Sequence, residues 1–106
     1  MTYVEAVIAA LSSVVALTDG LTADQLAADD MRLRAVERYW VLAGNAAKAH
    51  AHAAGLSAGA EPWSSLAGIR DALAHHRIDE VDIALLHHAA SAEGPALLTE
   101  IASAQG

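Results

Sequence analysis

Histidine and arginine are the residue types with chemistry to offer in this chain. Six histidines occur as His50 and His52, the adjacent pair His75-His76 and the adjacent pair His87-His88. Two metal ligands on one helix face need a spacing of three or four residues, which none of these pairs has, so no helix-borne zinc site is encoded locally. His76 and Glu80 are four apart, but Asp79 has the character of a helix start between them. The chain has no cysteine, which removes disulfides, thiolate ligands and a thiol nucleophile together. Ser12-Ser13, Ser57 and Ser64-Ser65 sit in no nucleophile-elbow context, and no glycine loop is built to cradle phosphate. The segment from Ser65 to Asp82 is what remains, with Arg70 followed by Asp71 and, five residues after the arginine, by His75. Taken alone, such a spacing also suits an arginine bridging an interface and a histidine favoured by a helix C-terminus. No metal and no cofactor is expected.

Charge singles out the same region. The formal net charge is −7, which argues against a general nucleic-acid coat protein. Yet all six basic residues, Arg32, Arg34, Arg38, Lys48, Arg70 and Arg77, fall between positions 32 and 77. Only Glu37, Glu61 and Asp71 oppose them there, leaving a formal +3 in that stretch. Residues 1–31 and 78–106 carry five acids each and no base. One reading is a set of helices with differently charged surfaces; the other is a local cationic site for a phosphate on an anionic body.

The elements that must position these residues are helices. The length of 106 residues fits one domain, taken as 1–106. Of its residues 55% are hydrophobic, but 27 are alanine, the best helix former and a poor strand former. Val4, Ile8, Leu11 and Val15 recur at helical spacing and predict a first helix over about 3–18, stopped by Asp19-Gly20. Thr22 and Gln25 form a capping-box pattern opening a short second helix. Asp29-Asp30 starts a long third helix that runs to about Ala54 before Gly55. Pro62 suits the first turn of a fourth helix reaching about His76, and Asp79 suits the cap of a fifth. Gly94-Pro95 should kink or restart the chain before Leu97, Leu98 and Ile101. The expected fold is all-α, an antiparallel bundle of four to five main helices. Mean hydropathy is +0.31, but the apolar stretch Ala6–Thr18 is shorter than the ~20 residues of a membrane span. A cytoplasmic protein with apolar surface to cover, hence an oligomer, is the expectation.

With these elements placed, the chain resembles the HepT-like branch of the HEPN superfamily, the toxin component of HEPN–nucleotidyltransferase toxin–antitoxin pairs. Ala35-Val36-Glu37-Arg38, Leu42-Ala43-Gly44, Pro62-Trp63 and Ile69-Arg70-Asp71-Ala72-Leu73-Ala74-His75 carry the likeness, in the family's order and spacing. Ile78 to Asp82, Pro95 and Leu98 are similar to its closing helices. Two positions depart from the pattern: Asn45 stands where Glu is common after the glycine, and Arg77 stands where a tyrosine is usual. The resemblance implies a two-fold dimer and a metal-independent endoribonuclease, with Arg70, Asp71 and His75 catalytic and His76 and Arg77 contacting RNA phosphate. It also implies a nucleotidyltransferase antitoxin as partner. Histidine titrates near neutrality and serves as base or acid toward a 2′-hydroxyl, while arginine's fork matches phosphate oxygens. Asp71 is expected to orient one of them. Five residues at about 100° each put positions 70 and 75 roughly 140° apart around one helix. Two copies of that helix across a two-fold axis would bring two Arg–His sets into one cleft. The alternative is a HEPN-type dimer without catalysis, a nucleotide- or RNA-binding or regulatory partner of a nucleotidyltransferase.

Arg77 generates a prediction. The resemblance implies silencing by AMP transfer to the motif tyrosine, which needs a phenolic oxygen that a guanidinium cannot replace. Tyr3 and Tyr39, the only tyrosines, lie outside the motif. Incubation with the cognate nucleotidyltransferase and ATP should therefore add no AMP mass between Arg70 and Asp82, as read by intact-mass analysis and fragmentation. Any antitoxin would act by covering the cleft.

Overall fold

The structure, a computed structural model, describes residues 1–75 and 82–105. Among these residues there are helices and no strands. The helices are α1 (Tyr3–Thr18), α2 (Ala23–Ala28), α3 (Asp30–Ala53), α4 (Trp63–His75), α5 (Ile83–His88) and α6 (Gly94–Gln105), with a π-helical segment, Ala89–Glu93, joining the last two. Among the described residues no helix is long and apolar enough to cross a membrane.

Local chemistry fixes most of the ends. Thr2 caps α1 by accepting from the Glu5 N–H. The capping box of α2 is formed in both directions, Thr22 N–H donating to Gln25 Oε1 at 2.9 Å and Gln25 N–H to Thr22 Oγ1 at 3.1 Å. Gly20 and Gly55 take positive φ, 75° and 68°, where the chain leaves α1 and α3. Asp29 caps α3 through the Arg32 N–H, while Arg32 Nη1 donates to the Leu17 carbonyl at 2.8 Å and ties the start of α3 to the end of α1. Pro62, preceded by a cis peptide bond, stands just before α4, one residue earlier than the expected first turn. Glu61 Oε2 accepts from the Ser65 N–H and hydroxyl, a negative charge at a helix N-terminus. The expected cap Asp79 lies outside the described residues, and Asp82 caps α5 through the Leu85 N–H.

Gly94-Pro95 restarts the helix, as expected, through a widened turn. Pro95 has no N–H for the carbonyl four residues back, and its ring crowds that carbonyl in a regular α-helix. The π-helical turn before it relieves the crowding, with the Gly94 N–H donating to the Ala89 carbonyl five residues back.

Helix α3 is the central element, with α1 and α4 packed against it. Trp40, Val36, Ala43 and Ala47 of α3 are fully buried, and they join Val7, Leu11 and Val14 of α1, Leu66 of α4 and Ile101 of α6 in one core. The α3–α4 pair is antiparallel: His50, near the connection, meets Trp63 with ring centroids 4.4 Å apart and the planes tilted by 57°, and Gly44 meets Leu66 and Arg70 farther along. The crossing is close because Gly44 has no side chain. A Cβ there would fall 2.1 Å from Arg70 Cβ and 2.9 Å from the Leu66 carbonyl oxygen. Gly44→Ala should therefore force α3 and α4 apart and lower stability by about 1–3 kcal/mol despite alanine's better helix propensity. A thermal melt followed by circular dichroism checks it.

Candidate functional site

The α3–α4 crossing that Gly44 permits also presents the candidate site. The stem of Arg70 lies across Gly44, so its guanidinium emerges beside the next residue of α3, Asn45. Arg70 Nε donates to Asn45 Oδ1 at 2.8 Å, and Nη1 donates to Asp71 Oδ1 at 3.0 Å. The same carboxylate oxygen accepts from Lys48 Nζ at 2.6 Å. Nη2 makes no hydrogen bond among the described residues, and the Arg70 side chain is 30% exposed. The guanidinium is thus held at two of its nitrogens, while the third has no partner among the described residues.

The electrostatics follow from this arrangement. Two cations share one carboxylate, and the remaining partner is a neutral amide, so the four-residue cluster carries a formal +1. The Lys48 hydrogen bond first, and the Arg70 hydrogen bond second, hold the Asp71 carboxyl below the usual carboxylate range. Lys48 and Asp71 are 45% and 43% exposed, so water and salt screen the pair and its strength is modest. Along α3 the other bases sort into paired and free. Arg32 pairs with Asp29, and Arg34 pairs with Asp30 and Glu37. Arg38 is exposed, pairs with no acid among the described residues, and precedes Asn45 by two helical turns.

Of the residues expected from the sequence, the structure brings Arg70 and Asp71 together and places His75 in the last turn of α4, five residues beyond the arginine. His76 and Arg77 lie outside the described residues. Asn45 and Lys48 are partners that sequence reasoning did not assign. A usable signal for Lys48 was its uniqueness: it is the only lysine, one turn after Gly44-Asn45. Among the described residues no three His, Asp or Glu side chains converge as a metal site would require. On another flank of α4, an apolar groove of about 490 Å³ runs between Gly68, Ile69, Ala72 and Leu73 and the α5 side, where Leu85 is 67% exposed.

A family model described as Ribonuclease HepT-like matches residues 7–104, and the chain belongs to that family. No curated protein and no solved structure matches it. The earlier resemblance and the all-α fold agree with this membership.

The Asp71 contacts carry a pH consequence. A carboxyl whose pKa is lowered by folding adds stability above its unfolded value of 3.8 and loses that contribution as pH falls through the folded value. Asp71→Asn should therefore melt below wild type at about pH 6, with the gap narrowing as pH falls below 3.8 and through the lowered folded value, where the Asp71 carboxyl is neutralised. Melting curves across that range check it, and a gap that does not change with pH would show that the charge plays no part.

Proposed function

We propose that this protein is a metal-independent endoribonuclease, the toxin of a type II toxin–antitoxin pair, with residues 1–106 acting as one HEPN-type unit in a cytoplasmic homodimer. The observation that carries this reading is Arg70: braced by Asn45 and Asp71, partly exposed, and five residues ahead of His75 in a HepT-like chain. In this mechanism His75 removes the proton from a 2′-hydroxyl, and the 2′-oxygen attacks the adjacent phosphorus. Arg70 stabilises the charge that builds on the non-bridging oxygens. The bond to the 5′-oxygen breaks, that oxygen takes a proton from a general acid, and a 2′,3′-cyclic phosphate remains. A second copy across a two-fold axis brings its own Arg–His set to the cleft, so base, acid and guanidinium need not come from one helix, where positions 70 and 75 stand roughly 140° apart.

The apolar groove beside Gly68 and Ala72, lined also by the exposed Leu85, gives a second copy an apolar surface to cover. His76 and Arg77 serve as further phosphate contacts, and a nucleotidyltransferase antitoxin blocks the cleft. The net charge of −7 favours the second reading, a non-catalytic RNA-binding or regulatory dimer. Cleavage itself separates the two. Purified protein should cut RNA in EDTA and leave 2′,3′-cyclic phosphate ends. Arg70→Ala and His75→Ala should each slow cleavage by about 10² or more with helicity intact. Cleavage that chelator abolishes, or that survives both substitutions, rules the mechanism out, and no cleavage at all selects the second reading.

A further inference from the structure

We propose that Lys48 is a positioning residue of this site, taking up the negative charge of Asp71 so that Arg70 stays cationic toward a phosphodiester. The inference rests on the reading above only in taking RNA as the ligand.

Asp71 presents a difficulty in any phosphate-binding role. An acid beside the arginine steadies the guanidinium, but it also cancels its charge and repels the phosphate. The geometry resolves this. Asp71 Oδ1 lies closer to Lys48 Nζ, at 2.6 Å, than to Arg70 Nη1, at 3.0 Å, so the carboxylate is committed first to the lysine. The low affinity of Asp71 for protons has the same leading cause. Asn45, the other brace, holds Nε through an uncharged oxygen and subtracts nothing. With Lys48 present the cluster is +1, and without it Arg70 and Asp71 form a neutral pair. Lys48 comes from α3 and Arg70 from α4, so the close crossing at Gly44 is what lets one helix set the charge presented by the other.

The test is binding of a 2′-O-methyl oligoribonucleotide, which has no free 2′-hydroxyl to attack, to the full chain at low salt. Lys48→Ala should weaken binding by about tenfold. Lys48→Met, which keeps the stem and the helix propensity, should do the same, with a melting temperature lowered no more than that of Asp71→Asn. The double variant Lys48→Ala/Asp71→Asn should return to within about twofold of wild type, because removing the acid removes the need for the lysine. Unaltered binding by both single Lys48 variants would overturn the proposal. So would a double variant that stays weak and loses about one phosphate contact from its salt dependence, since Lys48 would then be touching RNA itself. Wild-type protein with no affinity for the oligonucleotide would overturn it as well. Cleavage of unmodified RNA, measured in parallel, decides the ribonuclease reading separately: wild type that binds with this Lys48 dependence and never cuts defeats that reading and leaves this one standing.

Discussion

The contact between Gly44 and the stem of Arg70 is the constraint on which the site depends. Helices usually pack with side chains between their backbones, about 8–10 Å axis to axis. At Gly44 a single methyl group would collide with Arg70 Cβ and with the Leu66 carbonyl, so α3 and α4 meet almost backbone to backbone. Buried Ala43 and Ala47 keep the neighbouring turns of α3 thin as well. The closeness turns a surface arginine into a braced one. Its aliphatic stem is laid over α3, and its head reaches Asn45 without stretching, so less side-chain freedom remains to be lost when an anion arrives.

Helix ends were legible in the sequence because they are set by groups two to four residues apart. Thr22 with Gln25, Asp29 with Arg32, and the positive-φ glycines at 20 and 55 need no tertiary partner to act. The central stripe of α3 was readable for the same reason, since Leu33, Val36, Trp40 and Ala47 follow the helical period. The π-helical turn was not. Gly94-Pro95 announces an interruption, but whether the chain kinks, breaks or widens is decided by what packs around it.

The site divides along the same line. Arg70, Asp71 and His75 could be singled out because the family resemblance is carried by a pattern that lies within one helix. Lys48 stood out as the only lysine, but its partner did not, because a link from Lys48 to Asp71 spans 23 residues and exists only once two helix faces are known to touch. Asn45 stood out as a departure from the family's glutamate, without any indication of which side chain it would meet. Hydrophobic periodicity reports which face of a helix is buried, and it is silent on which polar residues at the border of two such faces become neighbours.

That border also explains why the braces differ in kind. An arginine that must receive phosphate has to be held still without being neutralised, and the two demands conflict whenever the brace is an acid. A carboxylate makes the stronger hydrogen bond to a guanidinium, but it cancels the charge the site exists to present. An amide makes the weaker bond and leaves the charge whole. This chain uses one of each: the amide of Asn45 on Nε, and the carboxylate of Asp71 on Nη1 with a lysine set against it. Toward the start of α3, the cap Asp29 and the helix residues Asp30 and Glu37 are each engaged by Arg32 or Arg34, and they lie more than a helical turn beyond the site. An anionic protein can keep a cationic edge in this way, because in salt the field at a partly exposed group is governed by charges within about 8–10 Å and far less by the net charge of the whole chain.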